Sequence, residues 1–293
     1  MTQSPDTPPP PPPDPIPAGP QEPVPPTPSP VWPLEAMLPP NPAPTPPPQW
    51  PPQTPAPPAG PKPYGLWASL GISTLAMVVG IAASAVVLLV YVVTVGGGKQ
   101  PQDVGLTTAM ATFPMAAVGM AIVLGAVVLK RQSLVQYLAL QWPGFVRILL
   151  SAGGLVAFIL AAGAVTQGLD MEQENQFMKQ LAATPYLVLV MLAVCIAAPI
   201  FEEVLFRGFL FPGVAQSALG APGAIVLTAI LWAILHIQYS VAGMGLIFAL
   251  GIFLGLVRWL TRSTLVTILL HFAWNTLGMT LTWYALSHPE VLE

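Results

Sequence analysis

Phe201-Glu202-Glu203-Val204-Leu205-Phe206-Arg207 sets two carboxylates and a guanidinium at the end of an apolar run, Leu187 to Ile200, in a chain that is only 7% charged. An ionisable side chain held at membrane depth costs roughly 2.5–3.5 kcal/mol on insertion scales. Three of them in so short a stretch are tolerated only if they pair, face water, or do chemistry. Glu203 and Arg207 are four residues apart, which on a helix puts them on one face with the acid on the favourable N-terminal side. Glu202 lies about 100° round the helix from Glu203. Arg207 is therefore read as neutralising Glu203 and leaving Glu202 to face another helix. The competing reading, a snorkelling ion pair at the membrane interface, leaves Glu202 without a role.

Around this stretch the chain is apolar. Of its 293 residues 54% are hydrophobic, and mean hydropathy is +0.69 even though a polar tail dilutes it. Nine Lys and Arg against twelve Asp and Glu, a net charge of −3, exclude the basic stripe that a nucleic-acid binder needs. The single cysteine, Cys195, sits in an apolar run. It rules out a disulfide framework and a cysteine metal site, and apolar burial disfavours a thiolate nucleophile there. Residues 1–63 hold 30 of the 38 prolines and too little apolar surface to offset their ordering entropy. The expectation is a disordered tail of polyproline II character, with the island Val31 to Leu38 as a docking motif for a partner or an inert part of the linker. The opening Met1-Thr2-Gln3-Ser4-Pro5 lacks the basic and apolar regions of a signal peptide.

From Leu66 onward, stretches long enough to cross a bilayer follow one another, about seven in all at about 20 residues each. They run from Leu66 to Val95, Val104 to Leu129 (kinked at Pro114), Phe145 to Val165, from Pro185 through the acid pair near the end of that span, Ala221 to Ile237, Val241 to Leu260, and Thr264 to Ala285. The loop from Thr166 to Ala183 has room for a short interfacial helix. Gly243, Gly251 and Gly255 give the sixth span a small face for close helix contact. The fold class expected is all-α, a polytopic transmembrane bundle behind a disordered proline-rich tail. Its divisions are 1–63 for the tail, 64–180 for N-terminal membrane helices and 181–287 for the helices that begin with the acid-pair span. Lys62, Lys130, Arg131, Arg147, Arg258 and Arg262 fall on or near one side, against Lys99 and Lys179 on the other. By the positive-inside bias, that orients the N-terminus to the cytoplasm, in a plasma membrane, with Glu202 in the cytoplasmic half of its span.

Two of the three histidines lie in apolar spans. His236 follows Trp232 by one turn, and His271 shares a face with Asn275 four residues on. Each alone reads more readily as a packing residue than as a catalyst. Together with the surplus Glu202 they avoid lipid for the same reason, and their nearest partners are one another. A carboxylate beside an imidazole takes a proton from water, and an imidazole and a carboxamide donate to an oxyanion. No Gly-x-Ser-x-Gly elbow, phosphate loop or His-Glu-x-x-His is present. Glu202, His236 and His271 also make a conceivable three-ligand site for zinc. A proton-relay transporter uses the same residue types within spans.

Glu202-Glu203-x-x-x-Arg207, then an aromatic-x-x-x-His at Trp232 and His236, then His271-x-x-x-Asn275, resembles the membrane-embedded CAAX prenyl protease and bacteriocin-processing (CPBP, Abi) family. The likeness covers about Leu187 to Leu281. The family's aromatic is usually Phe, and Trp232 departs from it without touching the imidazole. The resemblance implies an intramembrane endopeptidase that cuts near the cytoplasmic membrane surface, with a peptide or protein substrate at the lipid bilayer. It further implies that Glu202 and His236 activate water, that His271 and Asn275 stabilise the oxyanion, and that Glu203 and Arg207 hold the geometry. The family is commonly described as metallopeptidase, but a metal-free, glutamate-based route uses the same residues and is favoured here because two of the candidate polar groups serve better as donors than as ligands. The alternative within the same fold is a non-catalytic immunity or scaffold protein.

Overall fold

The computed structural model describes residues 63–291; the expectations made for residues 1–62 lie outside the described residues. The described chain is all-helical. Its elements are α1 (Leu66–Thr94), α2 (Val104–Leu129), α3 (Leu134–Tyr137), α4 (Phe145–Thr166), α5 (Glu172–Ala182), α6 (Leu187–Ala215), α7 (Gly220–Ile234), α8 (Val241–Thr261) and α9 (Thr264–Ser287). Helix starts follow the capping rule: Asp103 accepts from Leu106 N at 2.7 Å, Ser240 from Gly243 N at 3.1 Å, and Ser263 from Val266 N at 3.4 Å. Within the acidic loop, α5 is the short helix expected there.

Six helices, α1, α2, α4, α6, α8 and α9, are long and apolar enough to cross a membrane, and the chain is read as an integral membrane protein. The fifth expected span is shorter than predicted. α7 has fifteen residues, about 22 Å at 1.5 Å per residue, against a hydrocarbon core of about 30 Å. It stops before Ile237 because the N–H groups of Leu235 and His236 turn to carbonyls three residues back, Trp232 and Ala233, at 3.2 and 3.0 Å. The His236 ring completes the cap, with Nδ1 2.8 Å from the carbonyl of Trp232. α6 also departs from expectation. Pro185 lies in a turn that Thr184 Oγ1 closes on Tyr186 N, and the helix continues to Ala215, so the acid pair sits at its middle instead of near its end.

Contacts between loops define two faces. On one, Thr264 N donates to Ala139 O at 2.9 Å, Ser263 Oγ to Gln141 O at 2.6 Å, and Lys130 stands over the ring of Tyr64. On the other, Thr184 Oγ1 donates to Asp103 at 2.7 Å, Gln173 Nε2 to Gln238 O at 2.7 Å, and Glu174 accepts from Ser240. α7 runs between them despite its length, so Lys130, Arg131 and Arg262 share the first face while Lys99 and α5 share the second.

The glycine face of α8 serves contacts inside the chain. A Cβ at Gly251 would meet Ala229 Cβ at 2.9 Å and the Trp232 ring at 3.2 Å, and one at Gly255 would meet Ile225 at 3.1 Å. A Cβ at Gly243 would run into the carboxylate of Glu174. α7 is thereby drawn against α8 with Trp232 turned to the interior, where it is 2% exposed. Gly251→Val should force the two helices apart and cost about 1–3 kcal/mol of overpacking, read as a lowered unfolding midpoint in detergent. Gly125→Val, at a site with open space around its Cβ, should leave the midpoint near wild type.

Candidate active site

Two prolines shape the helix that carries the acid pair. Leu192–Ala197 and Val204–Leu210 are wound as π-helix, in which each N–H reaches five residues back. Ala198 N–H bonds Ala193 O in that register. The next residue, Pro199, has no N–H, so the carbonyl of Val194 is left without its helical donor. Asn275 of α9 supplies one, Nδ2 to Val194 O at 2.8 Å. The pattern recurs: Phe211 N–H bonds Phe206 O, Pro212 follows, and the stranded carbonyl of Arg207 accepts Nε of Arg258 from α8 at 3.0 Å. Each wide turn is thus stitched to a neighbouring helix by the side chain that satisfies its orphan carbonyl.

Between the two turns lies Glu203, which, like Arg207, is fully buried. Its Oε1 accepts Nη1 of Arg207 at 2.9 Å and Nδ1 of His271 at 3.0 Å. The ion pair is end-on: Glu203 Oε2 and Arg207 Nε are buried without a hydrogen-bond partner among the described residues. Arg207 Nη2 reaches the carbonyl of Gly251 at 3.2 Å. An ionised carboxylate only accepts, so Nδ1 of His271 carries a proton toward Glu203 and the ring turns Nε2 the other way. That Nε2 lies 4.0 Å from Oε2 of Glu202.

Trp232 joins the rest. Its indole N–H donates to Glu202 Oε2 at 2.6 Å. Its ring meets His236 and His271 edge-on, both at 5.2 Å between centroids, and carries the Arg207 guanidinium 4.8 Å above its face. His236 also stacks on Tyr239. Burial, and then the charges of Glu174 and Glu202, push the Tyr239 phenol up to about 12. α5 holds this loop from outside: Glu174 Oε1 accepts both N and Oγ of Ser240, at 2.7 and 2.6 Å, and Phe177 meets Tyr239 edge-on.

The residues named from sequence therefore gather, with differences. Glu202, Glu203, Arg207 and His271 form one contact group. His236 joins it through the indole and makes no hydrogen bond to Glu202 among the described residues, so His271 is the imidazole nearest that carboxylate. Asn275 stands one turn beyond His271 with one amide hydrogen committed to Val194. The ligand set Glu202, His236 and His271 offered for zinc is not assembled: among the described residues no three His, Cys, Asp or Glu side chains gather as a metal-binding group. Nor does the cluster lie against the Lys/Arg-rich surface. Arg207 touches Gly251, halfway along α8, which sets the group at mid-depth, with His236 toward the face that carries α5. Sequence reading missed Arg258 as a site residue. Its signal was a guanidinium inside an apolar span, counted only as a flanking charge.

Asn275→Leu should strand the Val194 carbonyl and cost about 1–3 kcal/mol of stability. In a Pro199→Ala background, where residue 199 regains an N–H, that cost should shrink. A double-mutant cycle on unfolding free energies reads the coupling, and strictly additive costs would refute the stitching.

No curated protein and no solved structure gives a significant match to this chain. One family model does, Type II CAAX prenyl endopeptidase Rce1-like, over residues 184–277. That span begins just before α6 and contains Glu202, Glu203, Arg207, Trp232, His236, Arg258, His271 and Asn275. Over residues 184–277, about a third of its length, the chain is similar to the Rce1-like type II CAAX prenyl endopeptidase family.

Proposed function

We propose that the chain is an intramembrane endopeptidase, with residues 64–180 as supporting helices and 181–287 as the catalytic core. The observation that carries this reading is the buried series Arg207–Glu203–His271 set against the carboxylate of Glu202. At 4.0 Å, Glu202 Oε2 and His271 Nε2 are too far apart to bond directly and close enough to share one water. Glu202 takes a proton from that water, and the water oxygen bonds to the scissile carbonyl carbon. Charge moves to the carbonyl oxygen, where the second Nδ2 hydrogen of Asn275 donates to it, as does His271 once its Nε2 has received from Glu202 the proton taken from the water. The C–N bond then breaks as the proton passes to the amine nitrogen. His236, whose Nδ1 is engaged by the Trp232 carbonyl, keeps Nε2 for the water or for the departing amine. Glu203 and Arg207 hold His271 in one tautomer and one orientation. No step is routed through a metal.

The substrate is a peptide or protein segment in the bilayer, and the family's name makes a prenylated C-terminus the first to try. The Lys/Arg-rich face is read as cytoplasmic and the membrane as the plasma membrane, with the cut made at mid-depth.

Full-length protein in proteoliposomes should cleave a farnesylated fluorogenic peptide, or its unprenylated twin, embedded in the same bilayer. Glu202→Gln and His271→Ala should each lower turnover about a hundred- to ten-thousandfold, the range of general acid–base catalysis. Turnover equal to wild type in both variants would overturn the enzyme reading.

A further inference from the structure

We infer that Trp232 is a positioning residue for the catalytic base, acting through its indole N–H on Glu202; the inference rests on the protease reading above and adds to it. The family pattern resembled by this chain is written with Phe at this place, and Phe has no donor. Here the side chain is 2% exposed and its Nε1 lies 2.6 Å from Glu202 Oε2. An indole nitrogen only donates and an ionised carboxylate only accepts, so the polarity of the bond is unambiguous. It is a short charge-assisted bond, the stronger kind.

Its geometry does work that no other residue near Glu202 does. Glu203 is held by Arg207 and His271, whereas among the described residues the Glu202 carboxylate takes no hydrogen bond from a cation: Arg207 bonds Glu203 Oε1 and Gly251 O, and His271 stops at 4.0 Å. A Glu side chain has three rotatable bonds, and this one sits in the α-helical stretch between the two wide turns with 16% of its side-chain surface open. The indole anchors Oε2, the oxygen that faces Nε2 of His271, and so fixes where the shared water sits. The indole is itself fixed from several sides: two imidazoles that meet it edge to face, Arg207 over its face, and Gly251 beside it. Trp232 thereby transmits the packing of α8 to the carboxylate on α6. The aromatic in this motif does more here than fill space beneath His236.

The test separates the donor from the ring. β-(3-Benzothienyl)alanine has the shape of tryptophan with sulfur in place of N–H; installed at position 232 in the full-length protein, it should keep the fold and KM. It should lower kcat for the farnesylated reporter peptide about ten- to hundredfold, the worth of a hydrogen bond to a charged group. Trp232→Phe should show the same fall in kcat together with a lower unfolding midpoint. A kcat that survives the isostere and falls only in Trp232→Phe would make the role one of packing and overturn the inference. A second readout needs no activity. The ultraviolet resonance Raman difference spectrum between wild type and Trp232→Phe isolates this indole, and its N–H band should report a strong hydrogen bond that is lost in Glu202→Leu. An unbonded band in wild type would also overturn the inference. A strongly bonded band with cleavage indifferent to Glu202→Gln would instead remove the protease reading while leaving the bond itself standing.

Discussion

The carboxylate of Glu203 is the constraint on which the rest of the site depends. A fully buried anion in the middle of a membrane helix is costly unless it is neutralised in place, and two helices are recruited to do so. α6 supplies Arg207 one turn away, and α9 supplies His271. Arg207 in turn is held by a carbonyl of α8 through Nη2, and its own carbonyl is held by Arg258 of the same helix. Removing Arg207 would leave an uncompensated charge in the interior, and removing His271 would take a donor from the same buried carboxylate. The arrangement is therefore all-or-none, and it delivers His271 to Glu202 with its tautomer already chosen.

The pairing of Glu203 with Arg207 was legible in the sequence because two facts suffice for it, a spacing of four and the energetic impossibility of leaving either alone. The approach of His271 to Glu202 follows the same reasoning, whereas His236 reaches them only through the indole of Trp232. What lay hidden depended on backbone register. Pro199 and Pro212 stand in plain view, yet only the coordinates reveal that each falls where a π-register carbonyl loses its donor. That is why Asn275 read as an oxyanion donor alone, and Arg258 as a flanking charge. The fifth span was overestimated because apolar residues continue past Ile234 while the helix does not; a histidine capping its own helix end has no apolar signature. Trp232 read as a mild departure because periodicity sees its ring and not its N–H.

The glycines of α8 illustrate how packing and chemistry are joined. Gly251 admits Ala229 and the indole at near backbone distance, and its carbonyl receives Arg207. One missing Cβ thus serves both the close approach of α7 and the burial of the guanidinium. Gly243 does the same at the rim, where the carboxylate of Glu174 occupies the space and ties α5 to the loop after α7.

The brevity of α7 has a consequence for the lipid around it. A helix about 22 Å long, set among neighbours of full spanning length, falls roughly 8 Å short of an unperturbed hydrocarbon slab. Acyl chains beside it must shorten or tilt, since hydrophobic mismatch is relieved by local compression of the bilayer. Headgroups and their hydration are drawn inward along this one flank, so the dimple in the lipid, as much as any channel through the protein, sets how far water must travel to reach a carboxylate at the centre of the membrane.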